Sequence, residues 1–103
     1  MEIESEYQFD YVVQSKDLAK ELSIDANDEF PEVFATSRMV ALMELAAARL
    51  MKPLLKEGEL SVGVNVNVNH LAATPNKEVV RSVATFKGME GKLFKFEVAL
   101  FDN

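Results

Sequence analysis

The stretch FPEVFATSRMVALMELAAARLMKP, residues 30–53, supplies the central element of the chain. It reads as a long helix in which Met39, Val40, Leu42, Met43, Leu45, Leu50 and Met51 spread around the whole circumference instead of along one stripe, so burial on all sides is expected. Pro31 stands near its entrance, Thr36 or Ser37 is a first-turn residue, and Pro53 marks its end, about 25 Å from the start at about 1.5 Å per residue. Near its middle lies an acid, Glu44, with Val40 and Ala41 a turn behind and Ala47 and Ala48 a turn ahead. None of these can pair with it, so a buried Glu44 needs a partner from elsewhere in the chain.

Outward from the helix the period changes to two. Residues 3–13 place Ile3, Tyr7, Phe9, Tyr11 and Val13 on one side and Glu4, Glu6, Gln8 and Asp10 on the other, the pattern of a half-buried strand. Ser15 is expected to cap a short helical turn through Leu22, with Asp17 in its first turn, and SIDANDEF (23–30) reads as an acidic loop. After the helix, KEGEL (56–60) is a polar turn. VGVNVNVNH (62–70) then puts Val62, Val64, Val66 and Val68 on one face of a second strand, and Gly63, Asn65, Asn67 and Asn69 on the other. AATPNKE (72–78) breaks that strand, VVRSVATFK (79–87) is a third, GMEG (88–91) a tight connection, and KLFKFEVALFDN (92–103) a fourth with Phe94, Phe96, Val98 and Leu100 on one face. One strand, a buried helix and an antiparallel meander imply an α+β domain whose sheet curls around a central helix.

Bulk properties narrow the function. At 103 residues the chain is expected to form one domain. The net charge of -6 and the scattered Lys and Arg count against nucleic acid as a partner. The absence of cysteine excludes a thiolate metal site and a thiol nucleophile and fits a reducing cytoplasm. No apolar run reaches membrane-spanning length, because Glu44 and Arg49 interrupt the best candidate, and the acidic opening MEIESEYQ lacks an export signal.

His70 is the only histidine, and it falls in the valine register, which would turn it toward the helix and Glu44. A carboxylate, an imidazole and the hydroxyl of Thr36, eight residues before Glu44, make a coherent set for proton or acyl transfer. Each has a plainer reading. Glu44 can be an exposed acid on a tilted helix, His70 a satisfied histidine at a strand end, Thr36 a cap, and Gly63 a close backbone approach within the sheet. No GxGxxG, phosphate loop, HExxH or GxSxG is present, so nucleotide, zinc and serine-hydrolase chemistry lack their residues.

FPEVFAT (30–36), MVALME (39–44), LMKPLLKEGELSVG (50–63), HLAATP (70–75) and EGK (90–92) together resemble the fluoroacetyl-CoA thioesterase-like branch of the hot-dog-fold thioesterases, over nearly the whole chain. The resemblance implies an antiparallel sheet wrapped around one helix, assembly as a homodimer or higher homo-oligomer, and hydrolysis of a small acyl-CoA thioester without a further cofactor or metal. It places the catalytic threonine, glutamate and histidine on Thr36, Glu44 and His70, the glycine along the thioester on Gly63, and a phenylalanine of the acyl pocket on Phe30. Glu44 would attack the carbonyl or activate water, His70 would move a proton, and Thr36 would orient the carboxylate and bind the carbonyl region. Asn27 stands where the fluoroacetyl-specific member has a second lid phenylalanine, so a broader small-acyl range is expected. The family also continues beyond the equivalent of Asp102 into a strand bearing an arginine, whereas this sequence stops at Asn103, which is expected to leave an unpaired edge. The rival reading is a non-catalytic acyl-CoA or small-ligand binding module on the same fold. A hydratase would need its acid and histidine on the segment between strand and helix, which is not where they lie.

Overall fold

The computed structural model describes residues 1–102, so Asn103 at the end of the expected last strand lies outside the described residues. Three strands and one long helix carry the architecture: β1 (Glu6–Val12), α1 (Thr36–Met51), β2 (Val79–Glu90) and β3 (Leu93–Asp102). The strands form one antiparallel sheet in the order β1-β2-β3, with Tyr7 opposite Ala84 and Val83 opposite Ala99. A bulge between Phe86 and Gly88 shifts the β2–β3 register, and Gly88 sits there at φ 113, a conformation that side chains with a Cβ rarely adopt.

The alternation in β1 holds as expected. Tyr7, Phe9 and Tyr11 turn inward and Glu6, Gln8 and Asp10 outward. On β2, Val80, Ser82, Ala84 and Phe86 are buried. α1 lies across this inner face through Leu42, Met43 and Ala46, and the core closes around Val13, Leu18, Phe34, Leu42 and Val80. Ser82 Oγ donates to the Leu42 carbonyl at 2.9 Å, so even the buried hydroxyl between sheet and helix is satisfied. Arg49 lies over the Phe9 ring, 4.7 Å from its centroid, and ties the last turns of the helix to β1.

Several expectations are corrected. The helix begins at Thr36, one of the two expected first-turn residues, and before it Val33 and Phe34 form isolated bridges to Pro75 and Leu18. It is not covered all round: Ser37, Ala41, Glu44, Leu45 and Arg49 form an exposed stripe, since a three-stranded sheet covers only one side of a cylinder. The valine-rich segment at 60–69 joins no ladder, and Val62, Val64 and Val66 are 79%, 69% and 53% exposed. Alternating valines favour a strand, but strand pairing needs an adjacent edge, and in the single chain none lies beside them. The helical turn after β1 is two separate 3₁₀ turns, Ser15–Asp17 and Ala19–Leu22, and Ser15 Oγ accepts from Asn76 instead of capping.

Candidate active site

Thr36 is the first residue of α1, and its position is set by the strand-like segment that enters the helix. Ala19 N–H donates to the Val33 carbonyl at 2.7 Å, Phe34 N–H to the Thr74 carbonyl at 2.7 Å, and Ala35 N–H to the Asp17 carbonyl at 2.8 Å. Residues 33–35 are therefore laced between 17–19 on one flank and 74–75 on the other, and Phe34, 1% exposed, anchors the lacing in the core. Thr74 is itself buried, its hydroxyl donating to Asp102 at 2.7 Å. This brings the 70–75 segment against the helix entrance.

The result is a direct contact between Thr36 and His70. Thr36 Oγ1 lies 2.7 Å from His70 Nδ1, and His70 Nε2 lies 2.6 Å from the Ala72 carbonyl. A carbonyl oxygen only accepts, so Nε2 carries a proton; in the neutral imidazole Nδ1 is then bare and accepts from the threonine hydroxyl.

Glu44 lies two turns further along α1, and its partner is not His70. Its Oε1 accepts the Gly63 N–H at 3.3 Å. A Cβ on Gly63 would stand 3.2 Å from Glu44 Cδ and Oε1 and 3.4 Å from Oε2, so the glycine is what lets the backbone lie against the carboxylate. The expected burial of Glu44 is also corrected: Thr36, Glu44, Gly63 and His70 are all exposed in the single chain. The physical reason is the unpaired 60–69 segment. Without a sheet to set its parity, it does not project its side chains onto the core.

Phe30, 46% exposed, lies in the loop before the helix and outside the Thr36–His70 contact. In that loop the Ile24 and Asp25 N–H groups bind Asp28 and hold its carboxyl below the ordinary range. Beside His70 is a small cavity of about 130 Å³ walled by Met39, Leu71, Thr74 and Leu100. A larger open hollow lies on the outer face of the sheet among Glu6, Asp10, Arg81 and Glu97, away from these residues.

Sequence reading missed a buried cluster beneath the helix entrance. Asp17, with its side chain 0% exposed, accepts Arg38 Nε at 2.9 Å on Oδ1 and both Tyr11 OH at 2.7 Å and Gln14 N–H at 2.9 Å on Oδ2. Burial pushes its carboxyl up, but these donors outweigh burial and hold it below the usual value; burial and the neighbouring carboxylate raise the Tyr11 hydroxyl. The only sequence signal was Asp17 itself in a first turn, which fits a solvated acid equally well.

The family model for fluoroacetyl-CoA-specific thioesterases matches residues 13–103. The chain belongs to that family. It is 38% identical to the fluoroacetyl-CoA thioesterase of Streptantibioticus cattleyicolor, an alignment spanning 100% of this chain and 76% of the relative. The solved structure of a fluoroacetyl-CoA thioesterase superposes with a TM-score of 0.92 at 38% identity, covering 99% of this chain and 77% of that one. A thioesterase superfamily member from Thermus thermophilus gives 0.86 at 30% identity over 98% of this chain and 72% of its own. A hot-dog-like protein from Thermanaerovibrio acidaminovorans, at 22% identity over 97% of this chain and 71% of its own, shares the fold with a TM-score of 0.82. The family's architecture is thus the hot-dog fold, α+β, as the residue pattern implied.

Proposed function

We propose that the chain is an acyl-CoA thioesterase that hydrolyses the thioester of a small acyl group, with Thr36, Glu44 and His70 as its working residues. The observation that carries this reading is the 2.7 Å contact between Thr36 Oγ1 and the bare Nδ1 of His70. In the neutral tautomer Nδ1 is a proton acceptor, and the hydroxyl that donates to it is fixed in place at the helix entrance. Glu44, seated against Gly63, supplies the carboxylate that attacks the thioester carbon or activates water. In either case the thioester C–S bond breaks, a C–O bond to a water oxygen ends in the product acid, and the departing thiolate takes up the proton released from water.

The cavity beside His70, about 130 Å³, is small, which suits a short acyl chain. Phe30 belongs to the acyl pocket in this reading, and Asn27 in place of a lid phenylalanine favours a range wider than fluoroacetyl. The substrate is a coenzyme A thioester, and no other cofactor is required. A second copy of the chain covers the exposed stripe of α1 and the bare valines at 62–66, excluding water from the site and strengthening its electrostatics; the enzyme works as a homodimer. The cysteine-free sequence suits a reducing compartment, and we place the enzyme in the cytoplasm.

The test is free-thiol release from acetyl-, fluoroacetyl-, propionyl-, butyryl- and phenylacetyl-CoA by the wild type and by Glu44→Gln. Hydrolysis that disappears in the variant supports the enzyme. Binding of these thioesters without release by the wild type would replace it with a non-catalytic binding module.

A further inference from the structure

We propose that Asp17, through Arg38 and its own backbone carbonyl, is a positioning residue that sets Thr36 against His70; the inference rests on the reading of that pair as the reacting site. α1 has no cap of its own, because the N-cap position is held by Ala35, which carries no side-chain acceptor. Asp17 fixes the helix entrance from outside. Its carbonyl binds Ala35 N–H at 2.8 Å and its Oδ1 binds Arg38 Nε at 2.9 Å, so it grips the chain immediately before Thr36 and two residues after it.

A single carboxylate oxygen suffices to hold a 3₁₀ turn, and Oδ2 does so by accepting Gln14 N–H at 2.9 Å. The rest of its bonding capacity reaches across the fold, to Tyr11 on β1 and Arg38 on α1. The helix entrance is thereby tied to the sheet on the flank opposite the Phe34–Thr74 bond, and Thr36 sits between the two ties. With both flanks fixed, Thr36 has little freedom to leave His70 Nδ1, and pre-organisation of this kind changes turnover more than binding.

His70 is the only histidine, so its imidazole gives one set of nitrogen resonances and reports the contact without any turnover. Thr36→Val defines the Nδ1 resonance when no hydroxyl donates. Arg38, whose side chain is 41% exposed, can be replaced by Met without opening the core. In Arg38→Met the Nδ1 resonance is expected to move toward the Thr36→Val position, kcat to fall about tenfold and KM to stay within about twofold, with partial return in Arg38→Lys. Tyr11→Phe, which removes one donor from the other carboxylate oxygen, is expected to give the same changes at smaller amplitude and serves if Arg38→Met does not fold.

A folded variant with an unmoved Nδ1 resonance overturns the proposal, whatever its kcat. A raised KM with unchanged kcat also overturns it and assigns Arg38 to substrate binding. If the wild type releases no thiol from any thioester, the hydrolase reading fails, while the resonance comparison still decides the positioning role.

Discussion

Gly63→Ala isolates the placement of Glu44 from its chemistry. The backbone of Gly63 is not in the left-handed region, so alanine meets no conformational penalty there, and the whole effect comes from space. The added Cβ would lie 3.2 Å from Glu44 Cδ, against about 3.5–4.0 Å for an unstrained carbon contact, so the carboxylate has to retreat by about 0.3–0.8 Å. Glu44 is exposed and its side chain is flexible, so it can yield, and stability is expected to change by less than about 0.5 kcal/mol. Catalysis is less forgiving: a misplacement of about 1 Å costs on the order of a hundredfold, so a shift of this size predicts a loss of roughly four- to fortyfold in kcat. Thiol release from the best acyl-CoA, followed beside the thermal unfolding midpoint, separates the two quantities. Wild-type kcat in Gly63→Ala would refute the idea that the glycine sets the carboxylate's position.

The other expectations concern stability and assembly. Asp17 has a lowered folded-state pKa, so its stabilisation is complete above its unfolded value of about 3.9 and is lost as pH falls through the lower folded value. Asp17→Asn should therefore cost about 1–3 kcal/mol at pH 7 in urea titrations and flatten the loss of stability below about pH 4; an unchanged acid limb would contradict this. Phe34→Ala should cost about 3–5 kcal/mol, because Phe34 is 1% exposed and anchors the segment that enters α1. Ser82→Ala, which removes the hydroxyl bonded to the Leu42 carbonyl, should cost only about 1 kcal/mol, since that carbonyl keeps its place in the helix. Light scattering should give twice the chain mass of 11.5 kDa for the wild type and a single chain for Val64→Arg, with a wild-type monomer counting against the dimer.

Asp17 and Thr36 show how the helix entrance depends on ties that are distant in sequence. The helix entrance is held by residues 17–19, by 74–75 and, through Thr74, by the end of β3. Perturbations at any of these points are expected to reach His70 through the same short segment, because the lacing leaves it no independent freedom.

The elements whose pattern is local were legible from the residues alone. The alternation in 6–12, the continuous apolar run of α1, and the hairpin of β2 and β3 are each encoded in neighbouring residues, and so was the presence of Thr36, Glu44, Gly63 and His70 in one chain. Which of them meet is set by contacts between distant segments. His70 pairs with Thr36 because Phe34 and Thr74 join two segments some forty residues apart, and Glu44 pairs with the Gly63 N–H because the missing Cβ leaves room. The valines at 62–68 have a strand's periodicity yet no strand's partner, since period fixes which side chains share a face but not which edge will supply hydrogen bonds. The burial of Asp17 was hidden for the same reason: three of its five bonds, to Tyr11, Arg38 and the Ala35 N–H, cross to segments that no spacing in the sequence announces.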